Sequence, residues 1–439
     1  MAELTLMKNA AEQQLAAEWQ AAKGKLPGAA PMRAAAFERF SAVGLPHRRI
    51  EEWKYTDLRA LMRDAKPLAI PADAAAKARA NDAGALLADI DSRRLVFVDG
   101  AFAPELSDLA KLETGLTIRP MAQALAQNDA LAVKHLGKVF ATDDVAVALN
   151  TAFMGDGIVI QVAAGAAVER PIHLVFAATG DRPAALFTRS LIVIEKGARA
   201  MIVESHEGAG SRDYQSNTAL ELKVADDAHV DHIKITREGD KALHVSSLMA
   251  DVGAHARFNT FVFNIGGAVA RNQLFLRFSG EGTVANIRGA SLLKGRQHAD
   301  TTLVMDHAVA NCQSREVFKT VLDDESRGIF QGKIIVRPYA QKTDAKMASH
   351  ALLLSEDAEA DNKPELEIYA DDVQCGHGAT AGDLDEDLLF YLKARGIPHA
   401  EAEALLIQAF VGDAIEGIEH AGLREALIEA VAAWLKARG

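Results

Sequence analysis

Two cysteines in 439 residues cannot build a disulfide framework, so a reducing cytoplasm is the expected setting. No uninterrupted apolar run approaches the roughly 18 residues a membrane-spanning helix needs. The opening stretch, MAELTLMKNAAEQQLAAEWQ, patterns as a polar helix and lacks the basic start and apolar core of a secretory signal. No G-x-x-x-x-G-K-[ST] loop occurs, so the chain has no P-loop of its own and any ATP chemistry is expected from a partner. What is present is a chain with 49% apolar residues, which excludes wholesale disorder. Its length suggests about two to three structural units.

The formal charge of −12 is unevenly spread. Between residues 355 and 387 acidic side chains crowd together with Lys363 as the lone base. Phosphates would be repelled there, which disfavours nucleic-acid binding through this face. A solvated acidic loop and a charge-guided partner or cation site both fit the run.

Three regions follow from pattern: a helical region over residues 1–90, a β-helix core over 91–380 and a small helical domain over 381–439. In the first, MRAAAFERFSAVGLP reads as one helix stopped by Gly44 and Pro46. Trp53 and Tyr55, in RRIEEWKYTDLRAL, are read as packing anchors. From about Leu95 onward short β-branched or aromatic segments such as GIVIQVAA, SLIVIEKG and VDHIKITREG are closed by turn residues. A weak repeat runs through them, starting at Gly165, Gly197, Asp227, Gly253 and Gly282. A period near thirty filled by strands with almost no helix points to coils of a β-solenoid, each burying its inward face only by stacking on its neighbours. A sandwich also uses short, evenly spaced strands and stays open as the alternative. After residue 383 the pattern turns helical, with Asp383 and Glu386 spaced as a capping box ahead of LLFYLKAR.

Gly280-Glu-Gly-Thr-Val-Ala285 imitates a dinucleotide fingerprint, with Asp300 downstream. That motif needs a helix N-terminus to receive the pyrophosphate, and strand-like sequence follows instead. It is read as another solenoid turn.

DDVQCGHGATAG, residues 371–382, sets Cys375 two positions before His377, where the last strand hands over to the helices. Side chains at i and i+2 on a strand share a direction, and thiolate and imidazole both suit iron or zinc. Two ligands are too few for a site of about four. Cys312 and His307 add to them only if the fold brings them near. Nucleophilic chemistry is disfavoured, because acidic surroundings raise a thiol's pKa. An inert glycine-rich bend fits the stretch equally well.

FQGKI, QKTDA, KPELEIYADDV, C-x-HGAT and LFYLKARGI occur in that order between about 311 and 412, and EEWKYTDL precedes them near the start. Together they resemble the SufB/SufD family of iron–sulfur cluster assembly proteins, and the C-x-HGAT form resembles its SufD branch. Gly376 replaces a serine common in that motif, and Lys346 and His350 stand where the family often has amides. The resemblance implies a mainly β fold, a right-handed parallel β-helix flanked by N-terminal and C-terminal α-helical domains. It implies a non-catalytic scaffold subunit that takes part in iron acquisition, pairs with SufB through strands and docks the ATPase SufC on its C-terminal helices. It further implies a transient iron–sulfur cluster shared with SufB, with His377, and beside it Cys375, contributing to the interface site. A homodimer in isolation would use the same edge. Nothing in the sequence decides whether a flavin serves as reductant. A purely structural SufB partner and a β-helix polysaccharide-active enzyme are the competing readings.

Overall fold

The structure, a computed structural model, describes residues 8–208, 210 and 212–438, so the first seven residues of the opening helical stretch lie outside it. Helix α1 (Ala10–Ala22) begins at Asn9, whose side chain accepts from the Glu12 amide while Glu12 accepts from the Asn9 amide, a closed capping box. Helix α2 (Ala30–Val43) stops as the sequence suggests: Gly44 takes φ +79° and Pro46 follows. Two short helices, α3 (Leu58–Leu61) and α4 (Ala74–Arg79), lead to the first strands.

The strands are β1 (Arg93–Val98), β2 (Ala101–Phe102) and β3 (Leu116–Pro120). Three helices then intervene, α5 (Met121–Ala126), α6 (Ala130–His135) and α7 (Val145–Phe153). After them run β4 (Ile158–Val162), β5 (Ile172–Ala178), β6 (Ala184–Ile194), β7 (Arg199–Gly208), β8 (Tyr214–Val224), β9 (His229–Arg237), β10 (Leu243–Val252) and β11 (Arg257–Asn264). The series ends with β12 (Val269–Phe278), β13 (Val284–Leu293), β14 (His298–His307), β15 (Gln313–Leu322), β16 (Arg327–Val336), β17 (Asp344–Leu353), β18 (Glu359–Ile368) and β19 (Gln374–Gly382). Helices α8 (Glu386–Ala394), α9 (His399–Ile415) and α10 (Ala421–Arg438) complete the chain.

From β4 onward the strands alternate between two sheets, and each pairs in parallel with the strand two places on. One sheet runs β19-β17-β15-β13-β11-β9-β7-β5-β1-β2, the other β18-β16-β14-β12-β10-β8-β6-β4-β3. This is a β-solenoid of about eight turns, and the sandwich alternative falls because its sheets would be antiparallel. Only the first coils close differently, through the antiparallel pairs β1–β2 and β3–β4.

The repeat has a physical origin in the turns. Gly165, Gly197, Asp227, His255 and Gly282 all take left-handed φ, between +53° and +71°. The fourth turn is therefore anchored at His255, two residues after the Gly253 suggested by sequence. The register pairs Arg257 with His229 and Phe258 with Val230, which a Gly253 start would break. Gly280 and Gly282 occupy a turn into β13 with no helix behind it, as expected for the imitation fingerprint.

Two expectations change. Helices α5–α7 interrupt the strand run; VAVALNTAF of α7 is buried along its whole length between α2 and the outer faces of β6 and β8. A helix so apolar on all sides needs cover on all sides. At the other end, α8 is capped by Asp385, which accepts from the Leu388 amide at 3.0 Å, so the Asp383–Glu386 box does not form.

Inward positions of both sheets make one elongated core, from Leu95 and Phe97 to Met347. The outer faces are covered on opposite sides. Val203, Ile235, Phe263 and Leu292 pack under α9 and α10 through Ile407, Val411, Leu427 and Trp434. Phe187, Leu243 and Val245 pack under α1, α2 and α7, with Trp19, Phe37 and Phe153 interleaved. Trp53 is an anchor as expected: fully buried, its Nε1 donates to Asp144 at 3.0 Å and the Arg271 guanidinium lies 3.8 Å from its ring.

Candidate functional site at the open end of the solenoid

Strands β18 and β19 end their sheets, each with one neighbour, β16 and β17 respectively. Their backbones present unpaired edges of ten and nine residues. Residues on β19 are mostly exposed, in contrast to every strand from β4 to β17.

Register explains what stands there. Ala200, Val230, Phe258, Ala285, Ser314, Ala345 and Cys375 form one column across successive strands. Ile172, Ile202, His232, Thr260, Ile287, Glu316, Met347 and His377 form the next. Lower rungs of both columns are buried, mostly in the main core. Cys375 and His377 thus occupy core positions of a coil on which no further coil stacks. Cys375 is half-buried against that core and His377 is exposed. The glycines between and after them meet no neighbouring atom, so a Cβ at Gly376 or Gly378 would be accommodated.

Cys312 and His307 do not join this pair. Cys312 is buried in the core, its Sγ 3.4 Å from the carbonyls of Gly280 and Ala310. His307 is fully buried, meets Ser314 Oγ at 2.9 Å and is held down to about 3 by burial. Among the described residues, the group with three convergent metal-ligand atoms includes none of these four. One chain supplies two candidate ligands here, too few for a closed site.

Burial raises the Cys375 thiol pKa, the Asp344 and Glu316 carboxylates add to the effect, and a backbone hydrogen bond from Ala345 only offsets it. The thiol is therefore a poor nucleophile. Iodoacetamide is expected to modify Cys375 more slowly than free cysteine at neutral pH, and Cys312 only on unfolding. Mass spectrometry of a labelling time course measures both, and Cys375 labelling faster than free cysteine would contradict the account.

The part of the acidic run that lies on β18 is paired rather than free. Arg327 holds Asp361 at 2.6 Å, Lys333 holds Glu367 at 3.0 Å, and Lys363 bridges Glu51 and Glu365. On the outer face beside the pair, His350 meets Thr380 Oγ1 at 2.7 Å, a partner that a threonine on β19 provides.

Sequence reading missed the polar interior of the middle coils. Glu204, His206, His232, Lys234, Glu238 and His244 are all at most 7% exposed. His232 bridges Glu204 (2.8 Å) and Thr260 (2.9 Å), and Lys234 meets His244, Thr236 and Asn272 at 2.8–3.0 Å. Burial lowers Lys234 to about 8 and His206 to about 4. Polar residues at even positions of HVDHIKITR carry the only sequence signal, and they are indistinguishable from outward ones until strand parity is known.

Comparison with known proteins places this geometry. Residues 176–410 match the SUF system FeS cluster assembly SufBD core domain, and residues 18–174 match the SufBD protein N-terminal region. The chain belongs to the SufBD family. It is 32% identical over 413 residues to an iron–sulfur cluster assembly SufBD family protein of Synechocystis, covering 91% of this chain and 89% of the relative. It is 30% identical over 391 residues to the iron–sulfur cluster assembly protein SufD of Escherichia coli, covering 88% of each. SufD of Bacillus subtilis is 25% identical over 392 residues, with 87% and 88% covered. As a SufBD-family protein the chain is a component of SUF iron–sulfur cluster assembly, which replaces the carbohydrate-enzyme reading. No helix among the described residues is long and apolar enough to cross a membrane.

Proposed function

We propose that this SufBD-family chain is a non-catalytic cytoplasmic scaffold that completes a nascent-cluster site jointly with SufB. The observation that carries the reading is the position of His377 and Cys375 on the terminal strand of the solenoid, whose outer edge is unpaired. A partner strand added to β18 or β19 satisfies the free backbone groups and brings its own ligands to the two that one chain lacks. The iron–sulfur cluster is then cargo held for a time between two chains, with iron acquisition as part of the same task. His377, exposed and inward in register, is the principal ligand. Cys375 needs a partner's charge or metal to lose its proton.

The C-terminal helices support a second contact. Leu388, Phe390 and Tyr391 of α8 are 51–72% exposed, and Leu405 of α9 adds to them. Such apolar exposure marks a protein-interaction surface, and we assign it to the ATPase SufC, whose nucleotide chemistry this chain has no P-loop to perform.

The test is His377→Ala co-expressed with SufB and SufC, with cluster content measured after the complex is shown to assemble. Loss of most bound or delivered cluster is expected. Normal cluster yield in an intact complex overturns the ligand role and leaves a structural partner. Without SufB, the same edges are expected to pair two copies of this chain, so light scattering should give a dimer mass; a concentration-independent monomer would contradict it.

A further inference from the structure

We infer that a divalent transition-metal ion binds outside the solenoid, between strand β9 and the α9–α10 connection, through His229, Asp231 and Glu419. The site is independent of the open end and of the role proposed for it. His229 and Asp231 project from the outer face of β9, opposite the inward column through Val230 and His232. Glu419 comes from the link after α9, which Ile418 pins into the core beneath the C-terminal helices. One ligand atom from each of the three lies within 4.8 Å of the others.

Two features separate this trio from ordinary surface charge. His229 Nε2 is shielded from solvent and meets no hydrogen-bond partner. It faces Asp231 Oδ2 at 3.6 Å, too far for a hydrogen bond. That spacing is close to the ~3.4 Å edge of a tetrahedron built on metal–ligand bonds of about 2.1 Å. Moreover, Asp231 is held from behind. Asn259 Nδ2 donates to its Oδ1 at 2.8 Å, and Asn286 Nδ2 donates to Asn259 at 2.9 Å. This leaves Oδ2 directed to the histidine, the outer-shell support that metal-binding carboxylates use. Beside the two carboxylates, a cavity of about 20 Å³ bordered by Asp231, Asn259, Arg288 and Glu419, but not by His229, has room for a water.

Glu419 stands 3.9 Å from Arg257 Nη1 and is 57% exposed, so it exchanges a loose ion pair for the metal at little cost. Arg288 packs against Gly417 and donates to the Asp413 carbonyl, and it holds the connection in place without offering a ligand. One imidazole and two carboxylates suit Zn²⁺, Fe²⁺ or Mn²⁺ over the all-oxygen preference of Ca²⁺. Water from the cleft supplies the fourth position. Bound metal would clamp the C-terminal helices to the solenoid wall.

The probe is Co²⁺, and then Zn²⁺, added to the full chain carrying Cys375→Ser and His377→Ala, so that the open end contributes nothing. About one equivalent is expected to bind with the visible absorption of low-coordinate Co²⁺, displaced by Zn²⁺. Adding His229→Ala should abolish the absorption, and Asp231→Asn serves if that variant fails to fold. Asn259→Ala should weaken binding about tenfold. Hydrogen exchange in the α9–α10 connection should slow on Zn²⁺ addition, and Glu419→Gln should remove that slowing. Absence of stoichiometric binding, or binding unchanged by His229→Ala and Asp231→Asn, overturns the site. Slowing that persists in Glu419→Gln, or metal binding that slows no exchange in the chain that keeps Glu419, overturns the clamp.

Discussion

Replacing Asp300 with alanine is expected to cost about 3–5 kcal/mol of folding stability, because it strands a buried guanidinium. Asp300 and Arg271 are both fully buried and in direct contact. Arg271 also donates to the Glu52 carbonyl at 2.6 Å and stacks on Trp53, while Gln331 Nε2 reaches Asp300 Oδ2 at 3.3 Å and Thr56 donates to the same oxygen. The pair therefore ties the Glu51–Thr56 segment to β12, β14 and β16. Without Asp300 the Arg271 guanidinium is left buried with no counter-charge against it. Denaturant titration measures the loss, and hydrogen exchange should show it concentrated at residues 51–56. A change below about 1 kcal/mol would mean that water or a rearranged side chain compensates Arg271.

Glu316→Gln is expected to stabilise the protein by about 3 kcal/mol at pH 8 and by almost nothing at pH 4. Glu316 is fully buried in the column that ends at His377, and neither carboxylate oxygen finds a well-formed hydrogen bond. Burial raises its pKa from 4.5 to about 7, with Ser314 and Arg315 pulling weakly the other way. Between these values the unfolded chain releases this proton and the folded chain keeps it. Folding stability from this group is therefore intact below about pH 4.5, falls as pH rises, and levels off above about pH 7. The neutral amide removes that slope. Denaturation midpoints of both proteins across pH 4 to 8 give the comparison, and a parallel pair of pH profiles would sink the assignment. Should Glu316 prove necessary for cluster yield, its cost to stability would mark it as part of the open-end site.

The solenoid was legible because its physics is local and repeated. Each turn places a residue at left-handed φ, and each strand alternates inward and outward side chains, so glycine or aspartate followed by apolar alternation recurs near every thirty residues. The repeat lost phase at Gly253 because histidine, not glycine, takes the left-handed position at 255, a substitution composition does not signal. Helix α7 was missed for a related reason. A short run of valine and alanine is as compatible with a buried strand as with a helix, and only its place between two layers selects the helix. At α8 two acidic residues competed for the cap, and the exit of β19 put Asp385 at the position that reaches the Leu388 amide.

Cys375 and His377 were recognisable as a pair of side chains sharing one strand face, since a two-residue spacing fixes that on any strand. Their exposure was not, because the same inward columns are buried at every lower rung, and being last in the stack is a property of the whole assembly. The same limit hid the polar layer around Glu204 and Lys234, and the meeting of Glu419 with His229 across 190 residues of chain.

By itself, then, the sequence determined the coil period, the flanking helices and the position of the Cys-Gly-His motif, all of which depend on neighbours within a few residues. Only the tertiary structure decided which faces the helices cover, which columns hold charge and where stacking ends. Those depend on contacts between residues far apart in the chain, whose free energy appears only once the coils are stacked.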